Sequence, residues 1–307
     1  MIRAIVQRFV QSLIVLWALF TMTFFLVKAL PYGPFQSEKA IPDHIRERIE
    51  DYYALNEPVL VQYGRSLGNL VRGDPGLSLR LEGREVTGIL SQAFPPSLQL
   101  GLVAMFIAVG VGIPAGVLAA SRKNSLADYA TMAFAMVGIC LPGFVIGPVL
   151  ADVFGRQMKV LPAVGWDAGR PETWVLPALT LGLVSAAYLS RLTRAGMLDV
   201  LNQDFVRTAR AKGVGEGRIL VLHCLRGGLI PAVAYLGPAF AATVSGSVVI
   251  ETIFHIPGLG QHFIKAIESG DGPVIQGIVL LYGALIIAAN FLTDLVQLWL
   301  NPRLRTE

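Results

Sequence analysis

The sequence predicts an all-α integral membrane protein with six transmembrane helices and a partly helical outer loop between the first two spans. Two observations predict it. Of the 307 residues, 54% are hydrophobic and only 15% charged, with a mean hydropathy of +0.60, a mixture foreign to water-soluble domains. The charges are also unevenly placed. Long stretches without Asp, Glu, Lys or Arg occur at residues 9–27, 86–121, 129–151, 173–190, 227–250 and 272–293. A bilayer core about 30 Å thick takes roughly 20 apolar residues in a helix, so each stretch is a candidate span. They are apolar around the whole helical circumference, unlike the helices of a soluble bundle.

The first span follows Arg3 and Arg8 within an N-terminal segment, 1–30. Its apolar run is longer than that of a secretory signal and no small-x-small cleavage site follows, so it reads as an uncleaved span. The outer loop, 31–94, carries helical signals of its own: Pro42-Asp43 before the charged stretch His44 to Tyr53, then Pro58 before Val59, Leu60, Tyr63, Leu67 and Leu70 at three- and four-residue spacing. The second of these stretches is amphipathic enough to lie on the membrane surface or against the bundle. Gly73-Asp74-Pro75-Gly76 predicts a turn. The second span reads as about 97–120, because Val86 to Pro95 mixes Thr87, Gly88, Ser91 and Gln92 with apolar positions. The membrane domain, 95–300, holds spans two to six, and a tail covers 301–307.

Within the spans, Gly112 to Gly116 and Gly143 to Gly147 are GxxxG patterns suited to close helix packing. Pro114, Pro142, Pro148, Pro177, Pro231 and Pro238 are candidate kink positions. Cys140 and Cys224 fall at different depths, which argues against a disulfide.

Basic residues set the orientation. With the N-terminus in the cytoplasm, the inner segments hold thirteen: Arg3, Arg8, Arg122, Lys123, Arg191, Arg194, Arg207, Arg210, Lys212, Arg218, Arg226, Arg303 and Arg305. The two short outer loops hold four, Arg156, Lys159, Arg170 and Lys265. This bias places both termini inside. The net charge of +4 therefore reflects membrane orientation and not a nucleic-acid partner.

The longest inner segment, Arg191 to Gly228, is the most informative. Asp204 is expected to cap a short helix from Phe205 to Lys212 that stops at Gly213, a residue suited to the left-handed position after a helix. Small Thr208, Ala209 and Ala211 beside Arg207, Arg210 and Lys212 suit docking on another protein; an ordinary positive-inside loop is the alternative.

The chain has no lysine preceded by glycine and so no GxxxxGK[ST] phosphate loop. It also lacks HExxH, CxxC and GxSxG, and His44, His223, His255 and His262 are scattered across both sides, so no metal site is expected. The span cores hold no ionisable group, with Glu251 and Asp294 only near the ends. Ion-coupled carriers commonly place such a group or a broken helix near the midplane. A chain of this kind is expected to receive its energy from a partner.

Leu176-Pro177-Ala178-Leu179-Thr180-Leu181-Gly182, Ser190-Arg191-Leu192-Thr193-Arg194, the segment Asp204 to Gly213, and the segment Glu251 to Gly260 resemble the membrane subunits of peptide and nickel ABC importers. Pro34-Phe35, Ile41-Pro42, Leu55-Asn56-Glu57-Pro58 and Gly73-Asp74 resemble the oligopeptide branch. The resemblance implies the type I ABC importer transmembrane fold in a bacterial inner membrane. It also implies a homologous second permease, two ATPase subunits that use ATP and Mg, an extracytoplasmic peptide-binding protein and a peptide substrate. This chain would bind no cofactor and catalyse no reaction itself. Its coupling element would run over about 204–218, with Asp204, Arg207, Thr208, Ala209, Arg210, Ala211, Lys212, Gly213 and Arg218 facing an ATPase. The family's Glu-Ala-Ala-x-x-x-Gly pattern is met only at Ala209 and Gly213. Ser245, Gly246 and Ser247 are candidates for the substrate path. A dipeptide, glutathione or nickel permease of the same family is the near alternative; a membrane-embedded enzyme or an anchoring protein is the remote one.

Overall fold

The computed structural model describes residues 2–29, 49–81 and 84–300. The predicted features at Pro34-Phe35, Ile41-Pro42 and residues 44–48, and the tail with Arg303 and Arg305, lie outside the described residues. Ten helices organise the rest: α1 (Ile2–Ala29), α2 (Val59–Val71), α3 (Val86–Ser121), α4 (Leu126–Cys140), α5 (Gly143–Leu150), α6 (Glu172–Leu201), α7 (Asp204–Ala211), α8 (Ile230–Ile253), α9 (Leu259–Ser269) and α10 (Gly272–Leu300). Shorter helical turns and two wide π-type segments, Ala151–Gln157 and Ile219–Cys224, connect them.

Five of these helices are long and apolar enough to cross a membrane: α1, α3, α6, α8 and α10. The predicted third span is not one straight helix. Leu126–Cys140 and Gly143–Gln157 form a pair bent by 105°, which makes a sixth crossing only if the two halves are taken together. Pro142 causes the break. It has no N–H to continue the ladder, and it drives Leu141 into an extended conformation, φ −88° and ψ 121°.

The second span is also longer than its apolar centre suggested. At 36 residues, α3 is about 54 Å long. It begins at Val86, so the stretch from Val86 to Pro95 is helix and not loop. Thr87, Gly88 and Ser91 are exposed while Val86, Ile89 and Ala93 are buried, so this end is an amphipathic extension of the span.

The chain forms two compact units, residues 1–97 with 256–285 and residues 98–255 with 286–307. In the first, Val86, Ile89 and Ala93 pack with Leu259, Ala266, Val274, Ile275 and Ile278. Phe20, Phe24 and Phe25 of α1 gather round Tyr63 of α2, and Lys28 donates to the buried Gln62. Leu60, predicted on the packing face, points outward, 76% exposed. The predicted turn forms: Gly73 and Gly76 have positive φ, and Asp74 Oδ1 accepts from Gly76 N at 3.0 Å.

In the second unit α6 is central, packing on α4, α5 and α8. Gly112 and Gly116 of α3 sit against the α6 backbone at Ala186 and Ser190, where no β-carbon fits. The first GxxxG pattern is therefore a packing seam.

Candidate functional site

Helix α7 is short and two-faced. Gln203 is extended, φ −78° and ψ 153°, and occupies the capping position. Asp204 is therefore the first helical residue and not the cap that the sequence suggested; its carboxylate accepts from Arg207 Nη1 at 3.4 Å. An acid in the first turn still complements the helix dipole. Val206 and Ala209, three residues apart, turn inward onto Ala120, Met197, Ile219 and Cys224. Ala209, expected on the docking surface, is thus an anchor, because the helix has to bury one apolar stripe. Asp204, Arg207, Thr208 and Ala211 make the outer face, flanked by exposed Phe205 and Lys212.

Gly213 ends the helix as predicted, with φ +78°. Val214 N bonds Ala209 O at 3.2 Å and Gly213 N bonds Arg210 O at 2.9 Å, the paired bonds of a Schellman cap. Arg210 forks onto Glu216 at 2.7 and 3.2 Å, and its guanidinium holds the Glu216 carboxyl below the usual range. Arg218 is exposed on the next turn, outside α7.

Three devices fasten this end of the second unit. Arg194 of α6 grips Asp128 of α4 through Nε at 2.6 Å and Nη2 at 2.7 Å, and Asn124 N adds a bond at 3.0 Å. Asp128 is 2% exposed. Arg226 donates to the carbonyls of Leu300 and Trp299 at 3.2 and 3.1 Å, capping the end of α10. Gly196 and Gly228 let the segment after α7 press on α6 at Met197. Cys224 is buried there, and burial raises its thiol. In the sequence Arg226 counted only toward the orientation, and Asp128 and Glu216 carried no role; the signal for Asp128 was a lone acid just before an apolar window.

The second feature is a cavity of about 230 Å³ between α5, α6 and α8, lined by Gly143, Phe144, Thr180, Leu181, Val184, Ser185, Ala242, Thr243, Gly246, Val249 and Ile250. Of the three predicted path residues only Gly246 reaches it. Ser247 is buried and donates to Val244 O at 2.7 Å. Ser245 is exposed and donates to Ala242 O at 3.2 Å. On a helix three consecutive residues point in three directions, so the Ser-Gly-Ser run does not act as one surface.

Residues 112–306 match the family model described as "Binding-protein-dependent transport system inner membrane component". The chain belongs to that family. It is 39% identical over 305 residues to the oligopeptide transport system permease protein OppB of Haemophilus influenzae, covering 99% of this chain and 100% of the relative. The OppB of Salmonella typhimurium is 38% identical with the same coverage. The dipeptide transport system permease protein DppB of Bacillus subtilis is 38% identical, covering 99% of this chain and 98% of its own. Among solved structures, inward-facing MetNI methionine ABC transporter matches with a TM-score of 0.59 at 17% identity, over 69% of this chain and 96% of that chain. This inner membrane component is thus an ABC transporter permease with an importer transmembrane fold, and it works with other subunits.

Proposed function

We propose that the chain is one permease subunit of an ATP-driven, binding-protein-dependent oligopeptide importer. The near full-length identity to two OppB permeases carries the reading. In this reading a homologous permease forms the other half of the path, two ATPase subunits hydrolyse ATP with Mg on the cytoplasmic side, and an extracytoplasmic protein delivers the peptide. Both termini face the cytoplasm, in keeping with six crossings and with the placement of the basic residues.

The outer face of α7, Asp204, Arg207, Thr208 and Ala211 with Phe205 and Lys212 beside it, meets an ATPase. Val206 and Ala209 root the helix in the core, so a push on α7 moves Met197 and the inner end of α6. Arg194 and Arg226 carry that movement to α4 and α10. The DppB match favours dipeptides as a second reading. Reconstitution with the cognate partner subunits tests both: ATP-dependent uptake of tri- to pentapeptides is expected, uptake of dipeptides alone supports the second reading, and uptake of neither contradicts both.

A further inference from the structure

The cavity between α5, α6 and α8 has a chemistry of its own. Its hydroxyls are already engaged: Thr180 Oγ1 donates to Leu176 O and Thr243 Oγ1 to Ala239 O, each at 2.8 Å, while Ser185 Oγ lies 3.4 Å from Thr243 Oγ1. What remains to face the space is the apolar surface of Phe144, Leu181, Val184, Val249 and Ile250. An apolar cavity on the order of 150 Å³ stays dry and accepts a benzene-sized guest. A space of about 230 Å³ therefore holds a leucine or phenylalanine side chain.

The floor is fully packed, with Thr180, Thr243 and Ile250 buried, whereas Phe144 and Val249 at the mouth are 58% and 47% exposed. The mouth adjoins the broken span. Cys140, Leu141 and Pro142 are exposed, and the Gly138 carbonyl has lost its helical partner because Pro142 carries no N–H. Irregular backbone at membrane depth is tolerated against protein or a water-filled path, not against lipid. The side of the unit holding the break and the mouth is thus turned away from the lipid.

Resting on the reading of the chain as a peptide permease, we propose that this cavity is a side-chain pocket on the peptide path, taking one leucine- to phenylalanine-sized apolar side chain of the passing peptide. It adds a selection step in the membrane to whatever the delivering protein selects. Gly246 lies on the wall because a side chain there would enter the space; a β-carbon at this position meets only Leu181 Cδ2, at 3.6 Å.

The test uses the whole importer in proteoliposomes, with ATP inside and the cognate binding protein outside, and compares kcat/KM for Ala-Leu-Ala, Ala-Phe-Ala and Ala-Ala-Ala. Gly246→Leu fills the pocket and is expected to lower the Leu-to-Ala and Phe-to-Ala ratios about tenfold. Val249→Ala widens the mouth and is expected to move preference from Leu toward Trp in the same peptide frame. The binding protein is common to all arms, so a changed ratio belongs to the permease. Unchanged ratios in both variants overturn the proposal, as they would if a lipid chain or a side chain of the second permease filled the pocket. If Gly246→Leu does not assemble, the Val249→Ala ratios decide. If the unaltered importer moves none of the peptides, the functional reading fails instead.

Discussion

The α7 end of the second unit and the cavity within it are held by opposite means. Around α7 the fastenings are charge-directed and angular: Arg194 on Asp128, Arg210 on Glu216, Arg226 on the carbonyls of Trp299 and Leu300. Around the cavity no ion pair intervenes among the lining residues, and apart from the Ser185–Thr243 hydroxyl contact at 3.4 Å the surfaces are methyl groups, glycines and an aromatic ring. Directional bonds fix the relative placement of helices, which suits the force-transmitting role proposed for α7. Dispersion contacts are weak singly and tolerant of the guest's shape, which suits an end that meets variable side chains.

The largest test of this contrast is Arg194→Ala. It leaves the Asp128 carboxylate buried without its cation and is expected to cost about 3 kcal/mol, read as a lowered denaturation midpoint in detergent. Val249→Ala at the exposed cavity mouth is expected to cost well under about 1 kcal/mol in the same assay. Equal losses would erase the distinction.

Gly213→Val comes next. Open space surrounds Gly213, so the penalty is conformational, from φ +78°, and is worth about 1–2 kcal/mol. It is expected to depress peptide-stimulated ATP hydrolysis, with Gly213→Asn intermediate because asparagine tolerates that region.

Asp271, in the turn before α10, supplies a milder comparison with Asp128. It is buried, but its donors are the Ser78 hydroxyl, the Leu79 N–H at 3.1 Å and the backbone N–H groups of Arg80 and Val274, with no cation in that set. Burial is the largest influence and raises its carboxyl, against those hydrogen bonds. Its contribution to stability is therefore complete below the ordinary carboxylate range, near about pH 4, and lost as pH rises through the elevated folded-state value. Melting curves across that window should show the slope, and Asp271→Asn should flatten it. The smallest effect is expected for Arg210→Ala, whose partner Glu216 is exposed; added salt should abolish any difference from the unaltered protein.

Much of this was legible in the sequence. Charge-free windows located the spans because bilayer thickness fixes helix length, and Gly213 declared its role because its backbone angle excludes most other residues. The Pro142 break was visible only as a candidate kink, since a single proline does not say whether neighbouring helices will straighten or bend it. Ala209 was misplaced because a small residue fits a docking face and a packed face equally well; only the partners Ala120 and Met197 decide. The cavity was illegible because its wall comes from three helices distant in sequence.

The division of labour between the two regions is most directly tested by measuring uptake of Ala-Leu-Ala and Ala-Ala-Ala side by side in the reconstituted importer carrying Gly213→Val or Gly246→Leu. The account predicts that Gly213→Val lowers both uptakes by the same factor, whereas Gly246→Leu lowers the ratio of the first to the second. A ratio altered by Gly213→Val and untouched by Gly246→Leu would contradict it.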